Sequence, residues 1–268
     1  MLSLTSKSIT DYQTCARLYD YRYNDKLYES VGIREMAVDR FEDTMKRVVT
    51  FFFYKKQGGN VPSYSALLNR WERLWFPKGT DALDIATEQH SSLYKNNASY
   101  TTEASSALLN FYERFAEDEG EPFMVDEKFI VPLNDDIKLS GSFDLVLRYR
   151  SQSTFVIFKW FARGKRPAMS HFNTDFAIAK HAFEYKTQAK FSYRKLYGLY
   201  DLASVKPGFT LVNVTEEDIN ALNFWANAIR EDEVYPSRRG LTPYCNVCPF
   251  DAECKAWNGW LKRQATND

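Results

Sequence analysis

Three cysteines, Cys245, Cys248 and Cys254, fall within ten residues in "YCNVCPFDAEC". A C-x2-C pair sets two thiols about one turn apart, so both can bind one centre, and the C-x5-C that follows adds a third donor from the same short loop. A fourth donor is needed. The only other cysteine in the chain is Cys15, far away in "DYQTCARLYDYRY". Four thiolates suit the tetrahedral preference of zinc, and they equally suit an iron–sulfur cubane, so spacing alone does not choose between the two. Cysteine is also a common core residue, but packing alone gives no reason to gather three of four into one loop.

The compartment bears on those thiols. The N-terminus "MLSLTSKSITDYQ" has no basic start followed by a long apolar run, and no uncharged stretch is long enough to cross a bilayer. The expectation is a cytoplasmic protein with no membrane partner, where thiols stay reduced and closely spaced cysteines favour a metal over disulfides. The 268 residues are 44% apolar and 26% charged, enough for a sizeable core in one large or two small domains. Lys+Arg and Asp+Glu are equal at 35 each, so no net field draws the chain to nucleic acid, and a basic surface would have to be a local patch.

The elements that must position these groups fall into three zones. Residues 1–120 read as helical: "SITDYQTCARLYDYRYND", "IREMAVDRFEDTMKRVVTFFFYKK", "PSYSALLNRWERLWFPKG" and "SLYKNNASYTTEASSALLNFYERFAEDEGEP" have helical periodicity with caps and stops. Their aromatic residues, Trp71 and Trp75 included, read as core. In residues 121–232, "FMVDEKFIVPL", "IKLSGSFDLVLRYR" and "STFVIFKWF" read as an antiparallel meander. The stretch "DFAIAKHAFEYKTQAKFSYRKLYGLYDLA" reads as one long helix, "GFTLVNV" as a strand and "TEEDINALNFWANAIRED" as a helix. Residues 233–268 carry the cysteine loop. The expected class is α/β, a mixed central sheet flanked by helices.

Several segments together carry a resemblance. The "S-x-S-x-x-x-Y-x-x-C" segment around Cys15 followed by a C-terminal C-x2-C-x5-C resembles the iron–sulfur subgroup of the RecB/AddB-type nucleases, in the PD-(D/E)XK superfamily, which has a restriction-endonuclease-like core. "GSFDLVLRY" is similar to that family's strand bearing its first metal-binding aspartate, here Asp144. "FVIFKWFARGK" lies where the family carries D/E-x-K, its lysine matching Lys159, and Gln188 falls where the family has a helical glutamine. The resemblance implies a 4Fe-4S cluster on Cys15, Cys245, Cys248 and Cys254, stapling the last segment to the first helix. It also implies phosphodiester hydrolysis, in which Mg²⁺ or Mn²⁺ on carboxylates activates water and a lysine stabilises developing charge.

Two positions depart from that pattern. Ile157 stands where the metal-binding acid belongs, and Met45 where the family often has a histidine; the only histidines are His90, His171 and His181, without metal-ligand spacing. Either the centre has decayed, with Asp144 pairing with Lys159 or capping a local turn, or the acid has migrated to Glu127 or to Glu184, which shares a helix face with Gln188. Arg163, Lys165 and Arg166 in "ARGKRP" would line a DNA groove, extended by Lys186, Lys190, Arg194 and Lys195 on the following helix; the same segment reads equally as a solvated turn. The leading expectation is a catalytically impaired nuclease fold that binds DNA or serves, with protein partners, in a nucleic-acid-processing assembly of viral or mobile-element origin, in the host cytoplasm or with the virion. The alternatives are an active Mg²⁺- or Mn²⁺-dependent DNA exonuclease with a relocated acid, and a zinc-stapled interaction module that never meets DNA.

Overall fold

The computed structural model describes residues 1–27, 33–75, 97–150, 152–159, 173–187, 194–201, 208–237, 244–245 and 248–255. In chain order these form β1 (Leu2–Leu4), α1 (Ser6–Thr14), α2 (Ala16–Tyr19), a π-helical turn (Asp20–Asn24), α3 (Ile33–Gln57), α4 (Tyr64–Trp75), α5 (Asn97–Phe115), β2 (Glu121–Pro132), β3 (Ile137–Arg148), β4 (Gln152–Lys159), α6 (Asn173–Thr187), β5 (Arg194–Asp201), β6 (Gly208–Val212) and α7 (Glu216–Glu231). No helix among the described residues is long and apolar enough to cross a membrane.

β3 is the hub of a mixed six-stranded sheet. β2 pairs antiparallel along nearly the whole of one edge of β3. The other edge is divided: β1 runs parallel against Ile137–Leu139, and β4 runs antiparallel against Leu145–Arg148. β5 then adds parallel to β4, and β6 antiparallel to β5. Between Leu139 and Leu145 no described strand pairs with that edge, so the sheet opens a notch there.

β4, in the middle of the sheet, is buried on both faces, which is why it reads as the near-continuous apolar run "FVIF". One face packs against α1, α6 and α7 through residues such as Ile9, Phe143, Phe155, Phe176 and Leu222. The other packs against α3, α4 and α5 around a dense aromatic core of Phe41, Phe52, Phe53, Trp71, Trp75, Phe111 and Phe115. Trp71 and Trp75 are 1% and 2% exposed, so they are core and not a stacking platform. The class is the expected α/β, with β1 and α1 built into the sheet and its helical cover.

Two expectations change. The stretch read as one long helix ends, as a described helix, at Thr187, and Arg194–Asp201 is instead strand β5. Its residues face alternate layers, Tyr197 and Leu199 to one core and Tyr200 to the other, and burial of aromatic side chains on both faces beside β4 outweighs helical periodicity. The first helix is also broken: Cys15 has extended backbone (φ −164°, ψ 119°) between α1 and α2.

Candidate functional site

The notch in the sheet holds the candidate centre. Val125↔Leu145 and Glu127↔Phe143 pair across β2 and β3, and between them stands Asp126 at φ +47°, a left-handed conformation that Asp tolerates better than most side chains. Phe143 packs into one layer and Leu145 into the other, so the two-residue alternation slips at Asp144. Gly141 allows the close approach this corner requires: a Cβ there would lie 2.8 Å from the Phe129 ring. The result is a cavity of about 230 Å³ lined by Asp144 of β3, Ile157 and Lys159 of β4, Lys46 of α3 and Asp175 in the first turn of α6.

Asp144 is tied to the backbone where β3 and β4 part: its Oδ2 accepts a hydrogen bond from the Phe158 N–H at 3.0 Å, continuing the ladder with a side chain. Glu42 of α3 stands between two ammonium groups, its Oε1 3.3 Å from Lys46 Nζ and 3.7 Å from Lys159 Nζ. Burial pushes the Asp144 carboxyl above its ordinary value; Lys46, the Phe158 N–H and Lys159 oppose that rise, and Asp175 adds to it. For Lys46, burial pulls the ammonium down, but Asp144, Glu42 and Asp175 outweigh it and hold the group above its ordinary value. Attraction to the carboxylates thus wins at Lys46, whereas burial wins at Asp144.

Asp144 and Lys159 come together, and Ile157 lines the same cavity with no donor to offer. Neither proposed replacement acid reaches it. Glu184 pairs with Lys195 at 2.6 Å, and Glu127 with Lys186 at 2.5 Å. Arg194 and Lys195 begin β5 instead of extending a helix. Met45 is fully buried in the aromatic core. Gln188, Arg163, Lys165, Arg166 and Lys190, with His90 and His171, lie outside the described residues. His181 Nε2 contacts the Pro132 carbonyl at 2.8 Å, a structural contact. Glu42, Lys46 and Asp175 were not anticipated. The i,i+4 spacing of Glu42 and Lys46 and the next-door position of Met45 were the available signals.

These residues do not fit a divalent cation. Hard ions need several oxygen ligands on one point, but Ile157 lines the cavity without a donor and the Lys46 ammonium stands beside Asp144. Among the described residues no group of three or more His, Cys, Asp or Glu side chains is arranged to hold a metal ion.

The cysteine region is more favourable. The backbone break at Cys15 lets its side chain meet Cys245, Cys248 and Cys254 around one small cavity, with Leu18, Tyr21 and Phe250 buried beside it. None of the four forms a disulfide. Burial, and then the neighbouring Cys254, Cys15 and Cys245, push the Cys248 thiol up. The Ser237 hydroxyl lies 3.1 Å from Cys254 Sγ. Four cysteines line one apolar cavity, the donor type of a thiolate-bound centre, but they too are not arranged around one ion. The preceding segment is pinned independently: Tyr12 donates to Asp232 at 2.7 Å, Arg17 donates to the Val234 carbonyl at 2.8 Å, and Tyr19 stacks on Tyr235. Compared with known proteins, the chain matches no family model and no curated protein.

Proposed function

We propose that this chain is a RecB/AddB-like nuclease fold whose hydrolytic centre has been replaced by an internal ion-pair network, and that it acts by holding DNA within a larger nucleic-acid-processing assembly. One observation carries the proposal: Lys46 and Lys159, which line the cleft with Asp144, are both drawn to Glu42, while Ile157 lines it where the resemblance expects an acid. Hydrolysis of a phosphodiester at neutral pH needs an activated water and neutralised phosphate charge. Here Glu42 is already paired with two lysines, and one Asp144 oxygen accepts from the Phe158 N–H.

Cys15, Cys245, Cys248 and Cys254 would hold a 4Fe-4S cluster. Bound, it would supply a cross-link between α1–α2 and the C-terminal loop. Zinc needs all four sulfurs about 2.3 Å from a single point, whereas a cubane spreads its ligands over separate irons. The shared cavity alone does not choose between the two; the cluster is proposed on the resemblance of the Cys15 and C-terminal segments.

A second reading, a Mg²⁺- or Mn²⁺-dependent exonuclease with a relocated acid, draws support from Glu42 beside Lys159, not from Glu127 or Glu184. Incubation of cluster-loaded protein with end-labelled single- and double-stranded DNA and either metal separates the two. The proposal expects salt-dependent binding without cleavage; cleavage that Asp144→Ala and Glu42→Ala both abolish would establish the exonuclease.

A further inference from the structure

Helix α3 has two faces. Phe41, Met45, Val48, Val49, Phe52 and Phe53 make the buried one. Opposite them, Arg47, Thr50, Phe51, Tyr54 and Lys55 recur at helical spacing along a groove of about 590 Å³, closed by Arg70 of α4. The groove is continuous with the Asp144 cleft, since Lys46, Ser142 and Asp144 line both.

Its outer end is unusual. Lys55 Nζ and Arg70 Cζ lie 5.9 Å and 5.4 Å from the centre of the same Phe51 ring. Neither makes an ion pair among the described residues. The Phe51 ring thus attracts two cations, and both remain open to an anion in the groove. Tyr54, one helical turn from Phe51, leaves 51% of its surface exposed. Acids gather toward the inner end: Asp43, matched by Arg47 at 3.8 Å, then Asp126 and Asp144. The groove is therefore graded, with unmatched positive charge and an open aromatic face outside and compensated charge inside.

We infer that this groove is a binding track for single-stranded nucleic acid, with Lys55 and Arg70 on backbone phosphates and Tyr54 stacked on a base. The inference rests on the nucleic-acid reading above and adds the strand type and the residues. A duplex keeps its base faces stacked internally, so an exposed aromatic beside paired cations matches an unpaired strand.

The test is fluorescence anisotropy of a labelled oligothymidylate on the cluster-loaded full chain, across roughly 50 to 200 mM salt. Lys55→Gln/Arg70→Gln should weaken binding and reduce the slope of log K against log salt by about 1.4, two phosphates at about 0.7 each on a single strand. Tyr54→Ala should weaken binding about tenfold with the slope unchanged, and Tyr54→Phe should retain it. Near-UV circular dichroism checks that each variant is folded. If wild type binds and the double variant matches it in affinity and slope, the track is wrong while the nucleic-acid reading stands. A duplex that binds as tightly as the single strand overturns the strand assignment. No binding at all overturns both.

Discussion

Replacing Lys46 by methionine removes the ammonium from the cleft while keeping a side chain of similar length. At the observed 3.3 Å from Glu42, the gross attraction is about 5 kcal/mol at an effective dielectric of about 20 and about 1.3 kcal/mol in water. The two side chains retain 32% and 24% of their exposure, so solvent screening and the desolvation already spent leave a net loss of about 1–2 kcal/mol. For a chain of this size that is a fall of about 2–4 °C in unfolding midpoint. The variant should also acquire a response that wild type lacks. With Lys46 gone, Asp144 and Asp175 line the cavity without the lysine that acts on both, and Mg²⁺ at about ten times its Kd should restore about 1.4 kcal/mol. Thermal unfolding by circular dichroism, with and without Mg²⁺, measures both effects. A Lys46→Met variant as stable as wild type and indifferent to Mg²⁺ would refute the claim that the lysine occupies the place of a metal.

Three further outcomes are expected. Asp144 has its folded-state pKa raised, chiefly by burial, so the native state holds this proton more tightly than the unfolded chain does. Its contribution is most favourable at low pH and is lost as pH climbs from the ordinary carboxylate range through the raised value. Unfolding midpoints of wild type and Asp144→Asn should therefore diverge in favour of the asparagine over that interval, and divergence the other way would contradict the assignment. For the cysteines, residues 232–235 are already pinned to α1 and α2. A cluster on the four cysteines would then close only a loop on the order of ten to twenty residues, worth about 3 kcal/mol by the chain-entropy model for cross-links. Chelation or Cys15→Ser should bleach the visible absorbance and expose the chain beyond Ser237 to protease while the sheet stays folded; collapse of the whole fold would show the staple to be wider. Gly141→Val places its branch against the Phe129 ring and should cost about 1–3 kcal/mol, read by urea unfolding.

Much of the fold was legible because the relevant signals are local. The meander of β2, β3 and β4 follows from alternation and short turns, and the amphipathic helices from their apolar stripes. β1 has three residues, too few to show a period. β5 was hidden because "RKLYGLYD" carries apolar residues that satisfy a helix as well as a strand, and only the neighbouring β4 decides between them. That error spread to the site. With β5 read as helix, Lys195 could not be placed opposite Glu184, so a glutamate already paired with a lysine stood as a spare acid. Asp144 and Lys159, singled out by the resemblance, line the same cavity, but the lysine pairs with Glu42 and not with Asp144. Glu42 and Lys46 looked like an ordinary solvated i,i+4 pair, because nothing local to α3 shows that this face closes over a notch in the sheet. The convergence of Cys15 on the C-terminal loop was legible in residue type, but the extended backbone that turns it there was not.

The central claim is that the cleft is occupied by its own lysine and takes no divalent ion. Electron paramagnetic resonance of Mn²⁺ titrated into cluster-loaded wild-type protein measures this directly, because bound ion loses the sharp signal of the free aquo ion. Wild type should leave the signal unchanged, and Lys46→Met should reduce it. Stoichiometric Mn²⁺ binding by wild type that disappears in Asp144→Asn would contradict the account and return the cleft to metal-dependent chemistry.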